Sequence, residues 1–116
     1  MRQGRPSVWM ALMIGVGVGG AVPQNAQAQD ERYVLTFKDN KIEPAELQVP
    51  AGKEFRLVVK NADQTPEEFE SEDLQLEKVI AGESEAEFTI KALEPGSYEV
   101  FGEFHEDTAK GHVVAK

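Results

Sequence analysis

The chain has 116 residues, with 12 Lys and Arg against 21 Asp and Glu, a formal charge of −9, and no cysteine. That length suits one domain around one core and is too short for a two-domain enzyme. The missing cysteine excludes disulfides, zinc fingers and thiolate copper sites, and the acid excess opposes nucleic acid and anionic lipid, while suiting hard cations or a basic partner protein.

The first residues carry the features of an export signal. Arg2 and Arg5 precede an apolar stretch from Val8 to Val22, loosened by Gly15, Gly17, Gly19 and Gly20, and Ala26-Gln27-Ala28 fits the small-x-small cleavage pattern. An apolar stretch of about 15 residues falls short of the roughly 20 that a membrane span takes, so a cleaved signal peptide is expected rather than a retained anchor. Cleavage after residue 28 removes two arginines and no acid, which takes the formal charge from −9 to −11. The exported domain, residues 29–116, has no covalent staple, and its core alone must hold the fold.

After Gln29, short alternating runs separated by turn residues predict an antiparallel β domain. Tyr33, Leu35 and Phe37 alternate with Val34, Thr36 and Lys38. The turn Pro50-Ala51-Gly52 follows, where proline restricts φ and glycine supplies positive φ. Phe55, Leu57 and Val59 then alternate with Glu54, Arg56, Val58 and Lys60. Leu74 to Ile80 fits either a strand or a short helical turn. Ala86, Phe88 and Ile90 form a further apolar face, and the turn Glu94-Pro95-Gly96 leads into Tyr98, Val100 and Gly102. A last run from Gly111 to Lys116 puts Val113 and Ala115 on one side and His112 and Val114 on the other. Strands at this spacing argue for a two-sheet sandwich, a single all-β domain.

Two segments concentrate chemistry. Residues 65–73 hold five carboxylates: Glu67, Glu68, Glu70, Glu72 and Asp73. As a strand, this segment puts Glu67, Phe69 and Ser71 on one side and Glu68, Glu70 and Glu72 on the other. Phe69 is the core residue, which draws Glu67 toward the interior, where a carboxylate needs a cation, a donor or a raised pKa. The second segment, residues 103–111, sets His105 among Glu103, Glu106 and Asp107. Imidazole with carboxylates suits iron, copper(II), manganese or zinc. For both segments a solvated acidic surface is the plainer alternative. His112 is expected to be exposed, and all three methionines lie within residues 1–28.

The run Ile42-Glu43-Pro44-Ala45-Glu46-Leu47-Gln48-Val49-Pro50-Ala51-Gly52-Lys53, the strand Phe55 to Asn61, and Leu93-Glu94-Pro95-Gly96-Ser97-Tyr98-Glu99-Val100 together resemble a cupredoxin-like domain. The resemblance spans Tyr33 to Lys116 and implies a Greek-key β-sandwich with any metal site at one end, between loops. Glu67 stands where the family pattern has its first histidine ligand, and Gly102 where it has cysteine. His105 or Asp107 lies near the second histidine, and Ala109 stands where the axial methionine would be. A blue-copper electron carrier is excluded by residue content.

Thr65-Pro66-Glu67-Glu68-Phe69-Glu70-Ser71 and Phe101-Gly102-Glu103-Phe104-His105 are similar to the EfeO-type cupredoxin-like proteins of bacterial iron uptake. That resemblance implies a periplasmic protein that binds iron, copper or both, and an Ftr-type inner-membrane iron permease as partner. It implies Glu67, Glu103 and His105 as ligands, with Asp107, Glu68 and Glu70 as further candidates. Glu103 and His105 reach a common pocket with Glu67 only if the strand carrying Gly102 ends there. Two alternatives stand beside it: a copper-dependent ferroxidase, and a metal-free sandwich that docks a basic partner. A homodimer sharing a cation through loop carboxylates is also compatible with the pattern.

Overall fold

The structure, a computed structural model, describes residues 31–116. The signal-peptide reading lies outside the described residues. Among the described residues no helix is long and apolar enough to cross a membrane.

Among the described residues nine strands follow in order: β1 (Arg32–Lys38), β2 (Lys41–Glu43), β3 (Glu46–Val49), β4 (Phe55–Asn61), β5 (Glu67–Ser71), β6 (Leu76–Ile80), β7 (Ser84–Ile90), β8 (Gly96–Gly102) and β9 (Lys110–Ala115). One 3-10 turn, Glu103–His105, separates β8 from β9. The strands form two sheets, a four-stranded one in the order β2-β1-β4-β7 and a five-stranded one in the order β3-β9-β8-β5-β6. The all-β sandwich expected from alternation is the observed fold, and the ambiguous stretch before Ile80 is the strand β6.

Not every pairing is antiparallel. β1 lies parallel to β4, and β9 parallel to β3, so two long-range parallel ladders tie distant segments together. β1 and β2 are joined by Asp39-Asn40, both at positive φ (54° and 60°), as a two-residue hairpin of this hand requires. The Asp63 carboxylate accepts both of their N–H groups, at 2.8 and 3.0 Å, from a loop more than twenty residues away.

The core lies between the sheets. Leu35, Phe37, Phe55, Leu57, Val59, Phe69, Val100 and Val113 are all at most 2% exposed. Phe69 packs edge-on to Phe37, with ring centres 6.3 Å apart, and tilted against Phe88 at 5.6 Å. Asn61, itself buried, gives its amide to the carbonyls of Thr65 (2.9 Å), Ile80 (3.0 Å) and Ala81 (3.3 Å). It thereby holds the start of β5 against the end of β6, and so sets where Glu67 enters the interior.

Candidate metal centre

Alternation in β5 divides its acids. Glu67, Phe69 and Ser71 are buried, while Glu68 and Glu70 lie half-buried on the outer face. β8 ends at Gly102, as a shared pocket requires, and the 3-10 turn then sends consecutive side chains in different directions.

His105 turns back to Glu67. Its Nδ1 lies 2.6 Å from Glu67 Oε2, and the carboxylate is only 5% exposed. Glu67 Oε1 accepts the backbone N–H of Glu68 at 2.9 Å and that of Phe104 at 2.8 Å. The carboxylate is thus shared among three donors, which is how a buried charge is normally accommodated. Because a carboxylate only accepts, the proton of this contact sits on Nδ1, leaving Nε2 as the nitrogen available to a further partner. His105 lines an open recess with Asn40, Glu103, Phe104, Glu106, Asp107 and Thr108.

Gly102 makes this arrangement possible. A Cβ placed there would come 2.7 Å from Glu67 Cδ, 2.8 Å from its Oε2 and 2.9 Å from Phe37 Cε1. The following loop is closed by Gly102 N–H to the Ala109 carbonyl at 2.8 Å and Ala109 N–H to the His105 carbonyl at 2.7 Å.

Glu103, on the rim of the same recess, also reaches the outer face of β5. With Glu68, Glu70 and Glu77 it forms a group of four carboxylates whose candidate ligand oxygens all lie within 4.8 Å of one another. Glu70 and Glu77 are directly paired across the β5–β6 hairpin, and Glu68 is two residues along the same face. The Glu68 carboxyl is pushed up to about 7, first by its hydrogen bond with Glu77, then by desolvation and the nearby charges of Glu103 and Glu77. Glu70 is also pushed up to about 7, first by its hydrogen bond with Glu103, then by desolvation and the neighbouring acids. Glu70 Oε1 is shut off from solvent without a hydrogen-bond partner among the described residues. Such a group holds shared protons or a cation, because four adjacent negative charges repel strongly.

The six residues singled out in the sequence therefore do not converge. Glu67 and His105 form the interior pair, Glu68, Glu70 and Glu103 belong to the outer cluster, and Asp107, exposed on the recess, joins neither. Glu77 was not among the expected site residues. Reading Leu76–Ile80 as a strand brings Glu77 into the hairpin, and the observed register then sets it opposite Glu70.

The two-sheet all-β sandwich defines the class of protein by its fold. A profile of the cupredoxin-like domain matches residues 9–115, and the chain belongs to that family. The uncharacterized protein RP394 of Rickettsia prowazekii (strain Madrid E) is 44% identical over 80 residues, covering 69% of this chain and 64% of that protein's length. Among solved structures, a variant of amicyanin in its reduced form matches with TM-score 0.61 at 22% identity, over 78% of this chain and 88% of that one. A purple cupredoxin from Nitrosopumilus maritimus matches with TM-score 0.56 at 18% identity, over 75% of this chain and 100% of the other. A chain of a heme-copper terminal oxidase dimer matches with TM-score 0.62 at 15% identity, over 75% of this chain and 65% of that one. These structural likenesses concern the fold alone.

Cupredoxins generally carry copper, and the residues here do not fit a thiolate copper centre. Glu67, Gly102 and Ala109 offer neither thiolate nor thioether, and the Glu67 carboxylate itself fills the space over Gly102. The four outer carboxylates do fit a hard cation.

Proposed function

We propose that this protein is an exported, periplasmic cupredoxin-like metal-binding protein that handles iron, copper or both in support of an inner-membrane iron permease. The observation that carries this reading is the group of Glu68, Glu70, Glu77 and Glu103, with two carboxyls pushed up to about 7 and one oxygen closed off without a partner. An all-oxygen donor set favours hard or borderline ions, and among divalent first-row metals copper(II) is expected to bind most tightly. The resemblance of residues 65–71 and 101–105 to EfeO-type proteins supports iron as cargo and an Ftr-type permease as partner. Val79, opposite Glu68, and Phe104, next to Glu103 in sequence, are 54% and 51% exposed and would offer apolar surface to a partner at this face.

Calorimetric titration of the purified protein with Cu(II), Mn(II) and, without oxygen, Fe(II) tests the reading. Stoichiometric binding that Glu70→Gln and Glu103→Gln each weaken about tenfold or more, the loss of one charged ligand, is the expected outcome. Equal, weak binding by all three proteins would sink it and leave the metal-free docking module as the better account. A ferroxidase would additionally turn over Fe(II) catalytically once loaded with copper.

A further inference from the structure

The resemblance to cupredoxins puts any copper at one end of the sandwich, and at its first ligand position this chain has the buried Glu67 carboxylate. We infer that Glu67 closes that position to metal ions. This inference stands apart from the metal-binding function proposed above, whose outer carboxylates lie across β5.

Three observations carry the closure. First, Glu67 is 4% exposed and its two oxygens already receive Glu68 N–H, Phe104 N–H and His105 Nδ1. A carboxylate offers about four lone-pair sites, so little donor capacity remains for an ion. Second, the space is filled: the carboxyl carbon stands 2.7 Å from where a Cβ on Gly102 would be, with Phe37 at 2.9 Å from the same point. Third, the fourth position of the family pattern, Ala109, is apolar and fully buried. Glu67 also performs the mechanical task of an interior metal, joining the start of β5 to the turn after β8 through Phe104 and His105. It is a positioning residue, and the closed interior and the outer cluster lie on opposite sides of one strand.

Two readouts on the intact protein test this. The first follows the His105 imidazole by NMR while Zn(II) is added in excess. A proton on Nδ1, held by Glu67 and persisting through the titration, is expected; its loss as metal is added overturns the closure. The second compares Cu(II) affinity in Glu67→Gln and His105→Gln, with folding checked by circular dichroism. If the interior pair is not the site, both variants melt at lower temperature yet bind Cu(II) within about threefold of the parent, well below the roughly 10–100-fold loss typical when a ligand's supporting residue is removed. A loss in that larger range by either folded variant overturns the inference. Should Glu67→Gln not fold, His105→Gln decides. If the parent protein binds no metal, the function proposed above fails along with the outer site, while a persistent Nδ1 proton still upholds the closed interior.

Discussion

Gly102 illustrates how much one missing side chain can decide. Its backbone is ordinary extended chain, φ −100°, so conformational freedom is not the reason for glycine. The reason is space, since any Cβ would strike the Glu67 carboxyl group and the Phe37 ring. Gly102→Ala is expected to cost about 1–3 kcal/mol, the usual price of overpacking, measurable as a lower urea midpoint with an unchanged slope. Asn61 offers a second check at the same scale. Its amide serves three carbonyls while its Oδ1 accepts Asp63 N–H at 3.1 Å, so Asn61→Ala strands buried polar groups. A loss of about 2–3 kcal/mol in chemical denaturation is expected, against roughly 0.5 kcal/mol or less for an exposed polar side chain without such partners.

The β5–β6 hairpin is where site and stability conflict. Glu68 and Glu70 have pKa values of about 7 in the folded protein against 4.5 as unperturbed carboxyls. A carboxyl raised on folding binds its proton more tightly in the folded state. The stability it contributes is complete below pH 4.5 and is lost as pH rises through about 7. For these two groups the melting temperature should therefore fall between about pH 5 and 8, and Glu77→Gln should flatten that fall. Addition of Mn(II) at pH 8 should restore the melting temperature, because an ion bound only by the folded state stabilises it. If pH has no effect on melting over that range, the four carboxylates are solvated independently.

How much of this was legible in the sequence depends on what each element rests on. Strands β1, β4, β7 and β8 show in strict alternation of large apolar residues, a signal that burial between two sheets imposes directly. The short β2 and β3 carry only three and four residues, and their place came from resemblance, not periodicity. The burial of Glu67 followed from Phe69 two residues on. What alternation could not reveal was the 3-10 turn, which sends Glu103 outward and His105 inward and so divides one expected site into two. The pairing of Glu70 with Glu77 was hidden for a related reason: hairpin register depends on loop length, which composition does not specify.

Across the whole molecule, charge is unevenly balanced. On the four-stranded sheet, Arg32 and Arg56 meet Glu87 at 3.7 and 3.0 Å, so acids and bases compensate. Exposed pairs of this kind contribute little to stability, about 0–1 kcal/mol each. The acids of β5 and β6 have no such compensation within their cluster. Metal affinity should therefore weaken as sodium chloride rises from about 0.02 to 0.5 M, as the Debye length shortens from tens of ångströms to a few. Salt-independent affinity would mean that the ligand cluster alone, and not the field of the molecule, draws the cation.

The topology also sets an order in time. β9, the last strand in the chain, does not lie at an edge; it is inserted between β3, its parallel partner, and β8. Until residues 110–115 have been synthesised, β3 has no neighbour in its sheet and the interior stays open on that side. A nascent chain therefore lacks the contacts to close this sheet until residues 110–115 emerge. Under the export proposed above, late closure would keep the chain competent for passage across a membrane.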